Sequence, residues 1–286
     1  MSEATSHDTQ ADTAGGAGAE QPLLPDAFTA KALAGRTVIV TGANSGIGAA
    51  IVDACAAAGA NVVIDWVTHP ETVDPATRIA EAAGSGSAMA VQADVGNVAD
   101  LQNLIDQAVA RFGRLDVMIN NAGVETRHSL LETEEKDFDF VMNINLKGTF
   151  FGAKLAAQQF IKQGGGGVIL NVSSVHEDWP MPGNTAYCVS KGGARMLTRT
   201  AGVELAQHGI RMVNIAPGAV NTPINAQTMA DPEKAAALNH SIPLGRVAEP
   251  DEIGATAVFL ASDAASYITC TTVVVDGGIM MSAAGL

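Results

Sequence analysis

Aromatic side chains are scarce, 4% of 286 residues, and cysteine appears only three times, as Cys55, Cys188 and Cys270. The three lie far apart and form no C-x-x-C pair, so neither a metal site nor a disulfide framework is expected. They read as small buried side chains in a reducing cytoplasm. Basic residues are few as well: 16 Lys and Arg stand against 30 Asp and Glu, a formal charge of -14. A nucleic-acid partner needs a basic stripe to release counterions, and the chain has none. No stretch holds eighteen uninterrupted apolar residues, so no membrane-spanning helix is expected. The N-terminus has neither a basic start nor an apolar core, which sets it apart from a secretory signal. Its Ala, Gly, Thr and acidic content cannot bury enough surface to offset chain entropy. Residues 1–32 are therefore expected to form a disordered tail, and 33–286 a single domain.

What the chain has in quantity is apolar residues, 47%, and glycine, 30 residues. From Arg36 onward, short β-rich apolar runs alternate with helical patterns, the pattern of βαβ units. Strand-like runs start near 36, 61, 87, 115, 167, 210 and 271. Helices are expected over about Gly46 to Ala58, Val98 to Phe112, Glu134 to Gln163, Ala186 to His208 and Pro250 to Ser262. The fold class is α/β: a doubly wound, seven-stranded parallel sheet with helices on both faces, in a single domain.

Between the first strand and helix, "TGANSGIG" brings Gly42, Asn44, Ser45, Gly46, Ile47 and Gly48 into one turn. Glycines there let the backbone approach a pyrophosphate, which meets free N–H groups and the positive end of the helix dipole. The same glycines also suit any tight strand-to-helix turn. Asp65 and Trp66 end the second strand. An acid there accepts from a ribose 2′-hydroxyl, whereas a 2′-phosphate needs a cation, and no basic residue is found there or at Ser45. NAD is therefore favoured over NADP. Asp65 also reads as a strand-end cap, and if one residue early it faces the other side of the strand.

In "TAYCVSKGG", Tyr187 and Lys191 are four apart and share one helix face. An adjacent ammonium favours the phenolate and makes a tyrosine usable in proton transfer. An amphipathic helix face alone would also explain the spacing.

Together, "TGANSGIG", "NNAG" at 120, "MNINLKG" at 142, the serine pair at 173 and "YCVSK" at 187 resemble the short-chain dehydrogenase/reductase family, from about Leu33 to "VVVDGG". The resemblance implies a Rossmann fold and hydride transfer between a secondary alcohol or sugar hemiacetal and its carbonyl or lactone. It implies a catalytic set of Asn145, Ser174, Tyr187 and Lys191. Family spacing puts the serine thirteen residues before the tyrosine, at Ser174 rather than Ser173; Asn143 competes with Asn145. Asp94 and Val95 would hold the adenine, Asn121, Ala122 and Gly123 would line the nicotinamide side, and Pro217, Gly218, Val220 and Thr222 would pass over that ring. Residues about 219–247 would form a substrate lid. Paired helices and last strands would make a homotetramer.

Substrate choice turns on Glu125 and His176, polar groups expected beside the catalytic set with Ser174 and Tyr187. With "NTPINA" and "IPLGR" they resemble sugar dehydrogenases of the glucose 1-dehydrogenase type. Glu125 also reads as a helix-start charge or a partner of Arg127, and His176 as a structural loop histidine. A broad carbonyl or 3-oxoacyl reductase is the alternative, and a non-catalytic dinucleotide-binding regulator a third.

Overall fold

The computed structural model describes residues 31–74, 77 and 87–282; the expected tail lies almost wholly outside them. Seven strands form one parallel sheet in the order β3-β2-β1-β4-β5-β6-β7. They are β1 (Thr37–Val40), β2 (Asn61–Trp66), β3 (Ala88–Gln92), β4 (Val117–Asn120), β5 (Gly167–Val172), β6 (Ile210–Pro217) and β7 (Thr271–Val275). Each expected run is a strand, because strands covered on both faces read as continuous apolar stretches. The register pairs Val38 with Val62 on one side and Val117 on the other. The order reverses between β1 and β4, the switch point at which such sheets open a crevice.

Helices α1 (Gly46–Ala57), α2 (Val98–Phe112), α3 (Glu135–Met142), α4 (Thr149–Gln163), α5 (Thr185–Ala206), α6 (Ala226–Met229), α7 (Pro232–Ser241) and α8 (Pro250–Ala261) complete the fold. Alternate strand residues feed two cores. Val38, Val62, Ile119 and Val213 pack towards α1 and α8, whereas Ile39, Val63, Met118 and Met212 pack towards α2 and α4. Close approach replaces bulk where the helices meet: a Cβ on Gly254 would lie 2.7 Å from the Ala50 carbonyl oxygen.

Two expectations are refined. The long helix over Glu134 to Gln163 is interrupted by a π turn, Asn143–Gly148, between α3 and α4. The segment expected only as a lid contains α6 and α7. Asp231 caps α7 by accepting from the N–H groups of Glu233 and Lys234, with Pro232 in the first turn, a signal readable in "ADPEK". Cys270 takes a left-handed φ of 58°. Among the described residues no helix is long and apolar enough to cross a membrane.

Candidate active site

The carboxyl ends of β1 to β6 surround a cavity of about 520 Å³. One end is built by the glycine turn. Gly42 and Gly46 have φ of 57° and 55°, and a Cβ on Gly48 would lie 2.4 Å from the Gly42 carbonyl oxygen. Asn121 braces this turn from β4, its Nδ2 donating to the carbonyls of Thr41 and Gly42 at 2.8 and 3.0 Å. Ser45 precedes α1 without a side-chain capping bond, and the first turn carries no acid. The helix start thus offers uncommitted N–H donors beside Ser45, Gly46, Ile47 and Gly48, all of which line the cavity. Asn44 lines it as well, while its Nδ2 ties the loop to the carbonyl of Thr68 at 2.7 Å.

Asp65 is 1% exposed; its Oδ2 accepts from the Gly42 N–H at 3.1 Å, and its Oδ1 has no partner. Asp94 and Val95 line the wall beyond it, with Asp94 Oδ1 accepting from the N–H of Gly96 at 2.8 Å. Trp66 does not line the cavity; Val67 and Thr68 do. Ala122, Gly123, Pro217, Gly218, Val220 and Thr222 line the far half. Uncommitted donors for a diphosphate, acidic acceptors for hydroxyls and an orphaned buried carboxylate oxygen fit a dinucleotide.

At the inner end, Ser174 leaves β5 and accepts from the His176 N–H at 3.2 Å, opening the 3-10 turn Val175–Glu177. Tyr187 hydrogen-bonds Ser174 side chain to side chain. Lys191, 5% exposed, donates to the Val172 carbonyl at 2.9 Å and lies 5.5 Å over the Tyr187 ring. Burial holds the Tyr187 phenol up at about 12, with the Ser174 bond pulling down and the Glu125 charge pushing up. Burial brings Lys191 down to about 8, opposed by the Glu177 charge. The lowering of the phenol expected from its neighbouring ammonium is not what sets its level; burial dominates, and the Ser174 hydrogen bond is what pulls it down.

Asn145, on the π turn, lies behind the cavity. Its Oδ1 accepts from the Val124 N–H and its Nδ2 donates to the Val124 carbonyl, both at 2.8 Å. A Cβ on Gly123 would be 3.6 Å from Asn145 Oδ1 and 3.7 Å from Lys191 Nζ, so amide and ammonium converge on one glycine.

Comparison with known proteins agrees with this geometry. Residues 42–280 match a family model described as Enoyl-(Acyl carrier protein) reductase. A relative from Eggerthella lenta, named 3beta-hydroxysteroid dehydrogenase 1, is 44% identical over 249 residues, 87% of this chain and 95% of that one. Glucose 1-dehydrogenase 2 of Bacillus subtilis is 39% identical over 252 residues, 88% and 97% of the two chains. A solved short-chain type dehydrogenase/reductase from Mycobacterium marinum superposes with a TM-score of 0.82 at 30% identity, covering 88% of this chain and 98% of that one. The chain belongs to the short-chain dehydrogenase/reductase family.

As a short-chain dehydrogenase/reductase it is an NAD(P)-dependent oxidoreductase of alcohols or sugars. The end of the cavity beside Tyr187 joins groups that are remote from one another along the chain. Glu125 Oε1 accepts from Arg127 at 2.5 Å and its Oε2 from Asn184 Nδ2 at 2.8 Å, so the Arg127 pairing is present. His176 does not line the cavity. It stacks on Trp179 at 6.0 Å between ring centroids, meets Tyr187 edge-on at 6.3 Å, and places Nδ1 3.0 Å from the Trp179 carbonyl. Asn184 carries no sequence signal of its contact with Glu125, because the two lie 59 positions apart along the chain.

Asp65 carries a stability prediction. Burial raises its carboxyl to about 7, against a smaller lowering from the Gly42 N–H. A raised carboxyl means that the folded state holds the proton longer, so this contribution is complete below about 4 and disappears as pH rises through about 7. Asp65→Asn is expected to cancel that slope. Melting both forms without cofactor, the wild type should lose stability relative to the variant from about pH 4 to about pH 7. A constant difference would refute the assignment.

Proposed function

We propose that the protein oxidises a polyhydroxylated alcohol, with a sugar hemiacetal as the favoured substrate and NAD as the preferred acceptor. The observation that carries this reading is the Glu125 carboxylate beside Tyr187, organised by Arg127 and Asn184. Paired acceptors and donors next to the reacting carbon suit a substrate rich in hydroxyls. When bound, the dinucleotide supplies the hydride acceptor. Tyr187 takes the proton of the substrate hydroxyl, and Ser174 hydrogen-bonds the oxygen as its charge changes. Lys191 provides the positive field over the Tyr187 ring, and Asn145 holds the Val124 segment behind it.

The preference for NAD is supported by the lining itself: among the described residues Lys191 is its one basic side chain and lies beside Tyr187, so none of them faces a 2′-phosphate. The Asp65 Oδ1 atom, buried and without a donor, suits a ribose hydroxyl. Residues 219–247 act as the lid, with Pro223, Ile224 and Asn225 on the cavity wall. Exposed Phe150 on α4, Met196 and Val203 on α5 and Val274 on β7 support a homotetramer. The three unpaired cysteines support a cytoplasmic setting.

A second reading, an apolar secondary alcohol such as a hydroxysteroid, is favoured by Val124, Phe140, Ile144 and Ile224 in the same cavity and by the Eggerthella lenta relative. A screen that follows reduced nicotinamide separates the readings: aldoses, hydroxysteroids and simple alcohols with NAD and NADP, then ketones with the reduced forms. The expected result is turnover of an aldose with NAD. Glu125→Gln should then reduce kcat/KM for the sugar by about 10–100-fold, the value of a charged hydrogen bond, and leave a simple alcohol unaffected. Turnover confined to steroids or ketones would overturn the sugar reading.

A further inference from the structure

A buried carboxylate under the Tyr187–Lys191 helix has no part in the chemistry described so far. Glu177 ends the turn that follows Ser174, and its side chain is 2% exposed. Asn214 Nδ2, on β6, donates to its Oε2 at 3.0 Å, and Thr272 Oγ1, on β7, donates to its Oε1 at 2.5 Å. Both donors are neutral. The one guanidinium nearby, Arg195 on α5, stays 3.8 Å away and pairs more closely with Asp178. Its Nε has no hydrogen-bond partner, so Arg195 compensates Glu177 incompletely. Lys191 is the complementary case: a buried cation on the same helix, whose one hydrogen-bond acceptor is the neutral Val172 carbonyl. Lys191 has only a neutral acceptor, and Glu177 has neutral donors and a guanidinium at 3.8 Å, so each buried charge is left under-compensated by its other neighbours.

We propose that Glu177 is a positioning residue for the reaction: the buried counter-charge of Lys191, which also fixes the Ser174 turn against the helix that carries Tyr187. The inference rests on the reading of Tyr187 and Lys191 as the proton-handling pair. The Glu177 turn packs on the helix next to Lys191, a Cβ on Gly192 lying 3.9 Å from the Glu177 carbonyl oxygen, and the ionisable groups acting on Lys191 are Glu177 and, on its own helix, Tyr187. β5 presents the Val172 carbonyl, and the π turn and the loop after β4 present Asn145 and Gly123, all uncharged. Those around Glu177 are Arg195, Asp178 and Lys191.

The sign of each perturbation follows. Removing the Glu177 charge makes the ammonium less favourable, so Lys191 gives up its proton at lower pH. Removing Arg195 deletes a competing cation, so Lys191 keeps its proton to higher pH. Glu177→Gln and Arg195→Gln therefore act in opposite directions, which lost packing would not produce.

Two readouts test this. In the cofactor-free protein, carbon-13 NMR of lysine Cε, assigned with Lys191→Met, follows the Lys191 titration directly. The wild-type midpoint is expected at about 8. It should move down by on the order of one pH unit in Glu177→Gln and up in Arg195→Gln. The alkaline limb of the kcat profile should move with it. Unmoved midpoints, or two shifts of the same sign, overturn the proposal; if Glu177→Gln fails to fold, the upward shift in Arg195→Gln decides. A moved midpoint with a fixed alkaline limb overturns the positioning role. Because the NMR readout needs no substrate, it stays decisive even if the proposed reaction is wrong.

Discussion

Replacing Tyr187 with phenylalanine is expected to lower turnover by about 10²–10⁴-fold while dinucleotide binding stays near wild type. Phenylalanine retains the ring that meets His176 edge-on and lies under Lys191, so the local packing survives. What disappears is the hydroxyl that hydrogen-bonds Ser174 and exchanges a proton with the substrate. Steady-state rates report the loss, and quenching or enhancement of reduced-nicotinamide fluorescence reports binding; wild-type turnover would refute the role. The direction of the pH dependence also follows. With its phenol held up at about 12 by burial and by Glu125, Tyr187 stays protonated at neutral pH. That is the form that donates a proton during carbonyl reduction. Oxidation draws on the phenolate and should accelerate from neutral towards alkaline pH, until Lys191 loses its charge.

The second large effect is expected at Gly48. A methyl group there would lie 2.4 Å from the Gly42 carbonyl oxygen, 2.5 Å from Asn121 Nδ2 and 2.9 Å from the Ala43 Cα. Two of these three are backbone atoms of the glycine turn, and the third is the amide that braces it. None can yield without opening the turn. Overpacking of this kind costs about 1–3 kcal/mol, and a domain of this size loses roughly 2–4 °C in Tm for each kcal/mol. Gly48→Ala should therefore lower the melting temperature and weaken dinucleotide binding by more than tenfold, about 1.4 kcal/mol or more. A thermal melt and a binding titration check both. Intact affinity would mean that the turn adapts, and that its shape is not what holds a diphosphate.

Much of the fold was legible because buried parallel strands leave a continuous apolar signature, and the strands from Thr37–Val40 to Thr271–Val275 fall where such runs occur. That Tyr187, Lys191 and Ser174 meet was legible for a different reason: two share one helix, and the third follows one strand by two residues. Orientation at a strand end was not. β2 continues to Trp66, and only the register decides that the Asp65 carboxylate turns back to the Gly42 N–H. Partnerships that need the assembled sheet were invisible as well. Thr272 donates to Glu177 across 95 positions and Asn184 to Glu125 across 59, and nothing local in either segment announces the other.

The π turn at Asn143–Gly148 has a consequence for phase. A helix that winds wide for one turn holds one residue more than an α-helical path of the same rise. The chain on either side of it is thereby rotated by about 100° relative to an unbroken helix with 3.6 residues per turn. α3 and α4 are collinear in sequence yet keep separate angular references. α4 can point Gly152, Ala153 and Phe160 into the core while α3 leaves Phe138 and Phe140 largely exposed. At the slip, the Asn145 carbonyl accepts from the Thr149 hydroxyl at 2.8 Å while its side chain holds Val124. One rod thus carries two independent faces, with the joint between them at the asparagine that holds the Val124 segment.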